Sequence, residues 1–396
     1  GVSRDRQEPA FLAEDSPETD LFRIKNRNYF VSLQHGYTLN QQTELYSHLS
    51  SNSFNLTTFT PFIFADGSVR RYHFDVTGKW TNLDLRLSYT PSPAHHLLLG
   101  LDAQHDQHQS YQFSIDDIIP ILGANSDNNR AGLYLQHSWQ LSDNHQLISG
   151  FRYDYTQQNV REFSPKLGWV WQKTDRQSIR LSYGTAFRAA NEYEQKTNLY
   201  YDLDAPASEL ISTLEASWHA QLGNGWSVGA SAYQSRIRNL ITANYVQSRV
   251  LQYFNDRAIN AVGIETTASK SWQNGAQLQL SVSMQRARYD NDQTELTNSP
   301  ERMLKANFSH PLWRDDLQLN WHLFAASERT SPLQKWPGYA RHDVLLSWQG
   351  HPQLSVVFGL KNVFDQYYVD APLPSAAGLR QPGRSAELSI HWKILP

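Results

Sequence analysis

Apolar and polar residues alternate along most of this chain with a period of two, which predicts strands that present one apolar and one polar face. Residues 177–195, QSIRLSYGTAFRAANEYEQ, show the unit clearly. Ile179, Leu181 and Tyr183 alternate with Ser178, Arg180, Ser182 and Gly184, and a polar, aromatic segment then leaves the strand end abruptly. Upstream, Tyr29, Val31, Leu33 and Tyr37 oppose Ser32, Gln34 and Gly36, and Leu83, Leu85, Leu87 and Tyr89 oppose Asp84, Arg86 and Ser88. The same pattern returns at 45–49, 97–101, 133–139, 147–155, 167–171, 214–218, 226–230, 264–272, 278–284, 304–308, 317–323, 344–348, 354–360 and 388–392. About seventeen strands are predicted.

The connections decide between architectures. Turns near 40, 93, 143, 175, 224, 274, 315 and 351 are short and carry hairpin chemistry such as Asn274-Gly275. Between them run long connections at 53–77, 107–129, 187–209, 237–258, 288–300, 326–338 and 363–383, with a short one only near 157–162. This sorting of lengths fits an antiparallel transmembrane β-barrel with short periplasmic turns and long outer loops. A soluble sandwich has no reason to sort its loops by side, and a propeller or β-helix needs a fixed repeat period that is absent. Residues 1–27 are expected to be loop or strand remnant, and residues 28–396 the transmembrane barrel. Bacterial single-chain barrels have an even strand number, so an odd count implies a further strand upstream or hidden in residues 1–27. The simplest expectation is the C-terminal part of a longer protein.

Composition sharpens this picture. Mean hydropathy is −0.58 and no apolar run approaches a helical span. Transmembrane strands escape that test, because half their residues face a polar lumen. The 20 Tyr, 17 Phe and 12 Trp suit interfacial girdles, and Trp139, Trp169, Trp171, Trp218, Trp226, Trp272, Trp321 and Trp348 fall on the apolar face near turns. A net charge of −3 gives no electrostatic case for nucleic acid as partner. The lack of cysteine excludes disulfides and thiolate metal sites. No G-x-S-x-G, H-E-x-x-H or P-loop occurs, so no catalytic residue, cofactor or enzymatic activity is expected. Of the 15 His, His95 and His96 sit beside a turn, His105 and His108 flank a strand end, and His219 and His322 fall on polar-face positions, so no metal site is expected. His137 is the one apolar-face histidine beside a strong strand, and no Ser or Asn partner for a membrane-embedded hydrolase is visible.

Several segments resemble TonB-dependent outer-membrane receptors. Residues 187–194 resemble that family's "FRAP…YE", with Ala190 where proline is usual. Residues 151–155 match "GLRYD" and 164–167 match "SPRL"; 253–255 with 262–265 resemble the "YxN…GxE" pair. Residues 297–302 are similar to "NSPRH", 360–368 to the "NLFDxxY" box and 382–384 to the "PGR" before a last strand. The likeness covers about residues 28–393 in the family's order. It implies a 22-stranded barrel in outer-membrane lipid, with a lumen that holds an N-terminal plug. It also implies uptake of a ferric siderophore, a similar metal chelate or cobalamin, driven by TonB, ExbB and ExbD. Nothing in these residues resembles the plug or the TonB box, so that coupling would run through a plug domain absent from this chain. The family ends on an aromatic residue, whereas this chain ends Trp392-Lys393-Ile394-Leu395-Pro396. Haem receptors of the family carry a His before an "NPNL" box, and residues 191–213 contain neither. A plug-free passive pore and a structural or adhesive barrel are the alternatives.

Ligand recognition is expected on the outer loops. The candidates are Arg188, Tyr193, Tyr200 and Tyr201 in the 187–209 connection, and Tyr245 and Tyr253 in the next. Arginine and aromatics can pair with and stack on an anionic, planar chelate. The competing role for each is packing of loop on loop. Arg86, Arg152, Arg180 and Glu265 fall on the polar face, where they are expected to satisfy the barrel interior or a plug.

Overall fold

The computed structural model describes residues 2–9, 21–63, 69–115, 119–157, 160–246, 250–313, 316–330, 334–370 and 379–393. Eighteen strands belong to the main antiparallel sheet. The chain divides into two compact units, one of residues 1–141, 147–166 and 191–205, the other of residues 142–146, 167–190 and 206–396.

In the first unit β1 (Val2–Pro9), β2 (Leu21–Asn40), β3 (Thr43–Ile63), β4 (Val69–Ser92), β5 (His95–Ile115) and β6 (Ile119–Ser142) pair in chain order. The strand that makes the count even is β1, which pairs with β2 from Val2↔Asn28 to Pro9↔Leu21 within the segment expected to be loop or strand remnant. The hairpins also run further than the alternation indicates. Residues 53–77, expected as an aromatic loop, are mostly ladder, paired from Ser53↔Lys79 to Ile63↔Val69. Strands β5 and β6 likewise continue to Ile115↔Ile119. The cause is backbone chemistry: an antiparallel ladder pairs every N–H and C=O that a loop would leave to water, and Thr57, Thr58, Phe59 and Val76 suit extended backbone. Strands β7 (His145–Thr156) and β8 (Arg161–Thr174) contribute residues to both units.

In the second unit β9 (Gln177–Arg188), β10 (Glu209–Gln221), β11 (Trp226–Val246), β12 (Val250–Ser271) and β13 (Gln277–Tyr289) pair in order. They continue through β14 (Arg302–Trp313), β15 (Leu317–Ala326), β16 (Tyr339–His351), β17 (Leu354–Lys361) and β18 (Ser385–Trp392). Register keeps the two faces apart, with few exceptions. One row across β9 to β14 reads Ile179, Trp218, Ala230, Thr266, Val282 and Leu304, and the next reads Arg180, Ser217, Ser231, Glu265, Ser283 and Met303. A slip of one residue in any pair would exchange the two faces.

The apolar face has no protein core to cover it. Leu133, Ile264 and Leu388 are 48%, 56% and 63% exposed. Total accessible surface is 25716 Å², against about 16,000 Å² for a water-soluble monomer of 45.5 kDa. Such a surface calls for lipid. Among the described residues one helix forms, α1 (Glu192–Tyr200), and no helix is long and apolar enough to cross a membrane.

Candidate ligand-recognition site

Strand ends at the outer connections are clasped by side chains. Arg188, the last residue of β9, donates from Nε and Nη2 to both carboxylate oxygens of Glu209 at 2.7 and 2.9 Å. Glu209 Oε1 also accepts the Ile241 N–H of β11 at 2.8 Å. The Arg188 guanidinium, aided by that N–H, holds the Glu209 carboxyl below the usual carboxylate range against the opposing effect of burial. Next to it, Asn255 accepts the Ala207 N–H at 2.7 Å and donates to the carbonyls of Ala207 and Asn239 at 3.1 and 2.7 Å.

The first unit carries α1. Asn191 Oδ1 accepts the Glu194 N–H at 2.9 Å and Glu194 Oε2 accepts the Asn191 N–H at 2.8 Å, a reciprocal capping box that fixes the helix start. Past its end, Asn198 Nδ2 donates to the Asp204 carbonyl at 2.9 Å. The helix is inverted relative to an ordinary surface helix. Glu194, Gln195, Thr197 and Asn198 are buried, while Leu199, Tyr200 and Tyr201 are exposed, Tyr200 at 69%. Tyr200 and Tyr201 meet edge to face at 5.0 Å. Tyr193 packs edge-on against Tyr111 of β5 at 5.4 Å, and burial, with Tyr193 and Glu192 adding to it, pushes the Tyr111 hydroxyl above its ordinary pKa. Rings held out to water by a capped helix can stack on a flat or conjugated ligand.

The expected residues therefore separate. Tyr193, Tyr200 and Tyr201 come together on or beside α1. Arg188 belongs to the clasp with Glu209. Tyr253 lies in β12 opposite Ala243 of β11, and Tyr245 lies in β11 opposite Leu251, with its side chain outside the described residues. The 237–258 segment is thus largely ladder and not loop. Sequence reasoning missed α1 itself, although the Asn191–Glu194 spacing was a usable signal.

Part of the charge on the polar face is paired within it. In the first unit Arg86 forks onto Asp84 at 2.8 and 2.7 Å, and Arg152 bridges Asp102 and Asp154, each at 2.5 Å. Gly100 and Gly132 make room: a Cβ at Gly100 would overlap the Tyr134 ring, and one at Gly132 the Arg152 guanidinium. In the second unit Lys361 pairs with Glu387 at 2.8 Å, and Tyr233 donates to Gln285 at 3.2 Å. Among the described residues no group of three or more His, Cys, Asp or Glu side chains could hold a metal ion. His137 Nε2 lies 3.0 Å from His95 Nδ1, and both rings stack with Trp139.

Residues 362–366 and 382–384 are fastened to one another. Asn362, buried at φ 49°, accepts the Gln366 N–H at 2.8 Å and donates to the carbonyls of Gln366 and Pro382 at 2.9 and 3.3 Å. Asp365 Oδ1 accepts the Arg384 N–H at 2.7 Å, and a Cβ at Gly383 would stand 2.6 Å from that oxygen. Tyr368 stacks on Tyr339 at 4.4 Å and its hydroxyl accepts from Arg341 at 3.2 Å.

Known proteins match this arrangement. The family model described as "TonB dependent receptor-like, beta-barrel" matches residues 3–363. The pyoverdine outer membrane receptor FpvA from Pseudomonas aeruginosa PAO1, bound to pyoverdine, superposes with TM-score 0.78 at 16% identity, over 94% of this chain and 62% of that chain. The ferric yersiniabactin uptake receptor FyuA from Yersinia pestis gives TM-score 0.77 at 14% identity, over 96% and 63%. The ferric citrate transporter FecA in the unliganded form gives 0.76 at 13%, over 94% and 62%. At these identities the likeness speaks for the fold, and this chain spans less than two thirds of each of those structures. Comparison with curated proteins returned no match. The match over residues 3–363 places the chain in the TonB-dependent receptor-like β-barrel family, and it is an antiparallel transmembrane barrel of the bacterial outer membrane.

Proposed function

We propose that the chain is the barrel of a receptor that takes up a metal chelate, a ferric siderophore by preference, and that the aromatic side of α1 contacts this ligand. The observation that carries the reading is the inversion of α1: its polar residues are buried, and Tyr200 and Tyr201 stand in solvent. An aromatic pair kept exposed by a capping box is costly in water and useful against a flat, conjugated ligand. The named ligands of the similar structures, pyoverdine, ferric yersiniabactin and ferric citrate, support a metal chelate as the cargo class. Arg188 serves as a positioning residue that fixes the strand ends from which the 187–209 connection departs, and Tyr193 fixes the helix against Tyr111. Tyr253, in β12 of the neighbouring hairpin, would be a secondary contact. Transport, not catalysis, is the activity, and its drive would come from TonB, ExbB and ExbD acting through a plug outside these residues.

The test is radioiron uptake by an outer-membrane-receptor-deficient host that expresses the intact protein, supplied in turn with ferripyoverdine, ferric yersiniabactin and ferric citrate. Uptake of at least one chelate that disappears when TonB is deleted supports the reading. Uptake of all of them at equal rates regardless of TonB would instead establish a passive pore.

A further inference from the structure

We propose that the turn side of β11 and β12 holds a headgroup site for a glycerophospholipid of the inner leaflet, with Lys270 as the ligand of its phosphate. Lys270 pairs with Trp226 across β11 and β12, so it shares the face of Trp226 and, two residues on, of Trp272. That face is apolar: Ala268, Thr266 and Ile264 follow on β12, opposite Val228, Ala230 and Ala232 on β11. A lysine there stands where lipid is the neighbour. Its Nζ lies 5.4 Å from the Trp226 ring and 5.7 Å from the Trp272 ring, and it donates to the Asn224 carbonyl.

These contacts leave the ammonium charge uncompensated. Two indole faces and a carbonyl offer only partial charge, two of the three N–H donors remain, and among the described residues no carboxylate pairs with Lys270. Beside it lies an open cavity of about 680 Å³, lined by Asn224, Gly225, Lys270, Ser271, Trp272 and Asn274. The cavity wall is fixed: Ser271 N–H donates to the Gly225 carbonyl at 3.0 Å, and Gly225 at φ 77° has no space for a Cβ against Ser271. Short turns of this family's barrels face the periplasm, so the cavity opens at the level of inner-leaflet headgroups, where tryptophan and lysine anchor. A lipid phosphate supplies the missing charge while its acyl chains lie along Ile264 and Ala268. The lysine stem lies along the apolar wall while its ammonium reaches headgroup level.

The experiment is stepwise delipidation of the intact protein in detergent, followed by native mass spectrometry of retained lipid. Phosphatidylglycerol and diacylglycerol of matched acyl chains are offered separately, and Lys270→Gln is compared with the unsubstituted protein and with Lys270→Arg. Phosphatidylglycerol retained about fivefold more than by Lys270→Gln, with Lys270→Arg restoring it and diacylglycerol not retained, is the expected result. Retention that is unchanged in Lys270→Gln, or equal for the phosphate-free lipid in the unsubstituted protein, overturns the proposal. The second comparison needs no variant, so it decides the matter even where Lys270→Gln folds poorly. Inorganic phosphate is the remaining arm: displacement of bound lipid by millimolar phosphate would make the site one for a free anion and overturn the lipid assignment.

Discussion

The Arg188 guanidinium and the Glu209 carboxylate form a two-point fork, at 2.7 and 2.9 Å, between the outer ends of β9 and β10. A cation expected to meet an anionic ligand is thus already engaged in holding two strands together, with the Ile241 N–H drawing in a third. The pair is partly exposed, so its removal costs no more than about 1 kcal/mol. Arg188→Ala is expected to lower the unfolding temperature by no more than about 4 °C and to weaken chelate binding only two- to threefold, by loosening the connection. Differential scanning fluorimetry and ligand titration check both.

The same clasp sets a pH dependence. Glu209 titrates below its ordinary value in the folded protein, so its contribution to stability is fully present above the unfolded carboxylate pKa and fades as pH falls through the depressed folded value. The stability difference between the unsubstituted protein and Arg188→Ala should therefore be constant near neutrality and shrink below about pH 4. Urea titrations at pH 7 and pH 3 measure it; a difference that grows on acidification would contradict the assignment.

Glycines on the polar face separate packing from propensity. A methyl group at Gly100 meets the Tyr134 ring, whereas one at Gly36 meets nothing within 4 Å. Gly100→Ala should destabilise by about 1–3 kcal/mol, while Gly36→Ala should be neutral or slightly stabilising. The temperature at which the folded, faster-migrating band disappears on electrophoresis reports both.

Asn362→Ala leaves the Gln366 N–H and the carbonyls of Gln366 and Pro382 without their partner in a buried turn, and Gly383→Ala drives a methyl group toward Asp365. Each is expected to cost about 1–3 kcal/mol and to raise hydrogen exchange across 362–370 and 381–384, with no change at α1. Protection unchanged in these peptides would show that the box has some other purpose.

What the residue pattern reveals follows from where lipid acts. Inside the membrane each strand needs an apolar and a polar face, so seventeen of the eighteen strands and their short turns were legible. Outside it nothing enforces alternation. The ladder through Asn55↔Thr77 and Ser110↔Asn125 is sustained by backbone hydrogen bonds, and β1 carries no apolar stripe, so the residue pattern there indicates loop or remnant. Helix α1 hides for the opposite reason: its polar side faces inward, which removes the usual helical stripe. The family boxes were recognisable as likenesses, but their physical content is structural. Arg188, Asn255, Asn362 and Asp365 each fasten backbone or a strand end. The tyrosines of α1 lie outside every such fastening except that of Tyr193.

The most direct measurement is a tryptophan-fluorescence titration of the intact protein with ferripyoverdine, ferric yersiniabactin and ferric citrate, repeated on the double variant Tyr200→Ala, Tyr201→Ala. The expected result is saturable quenching by one of these chelates, about tenfold weaker in the double variant, as loss of two stacking rings implies. Equal affinity in both proteins, or no saturable binding of any chelate, would contradict α1 as the recognition surface of a chelate receptor.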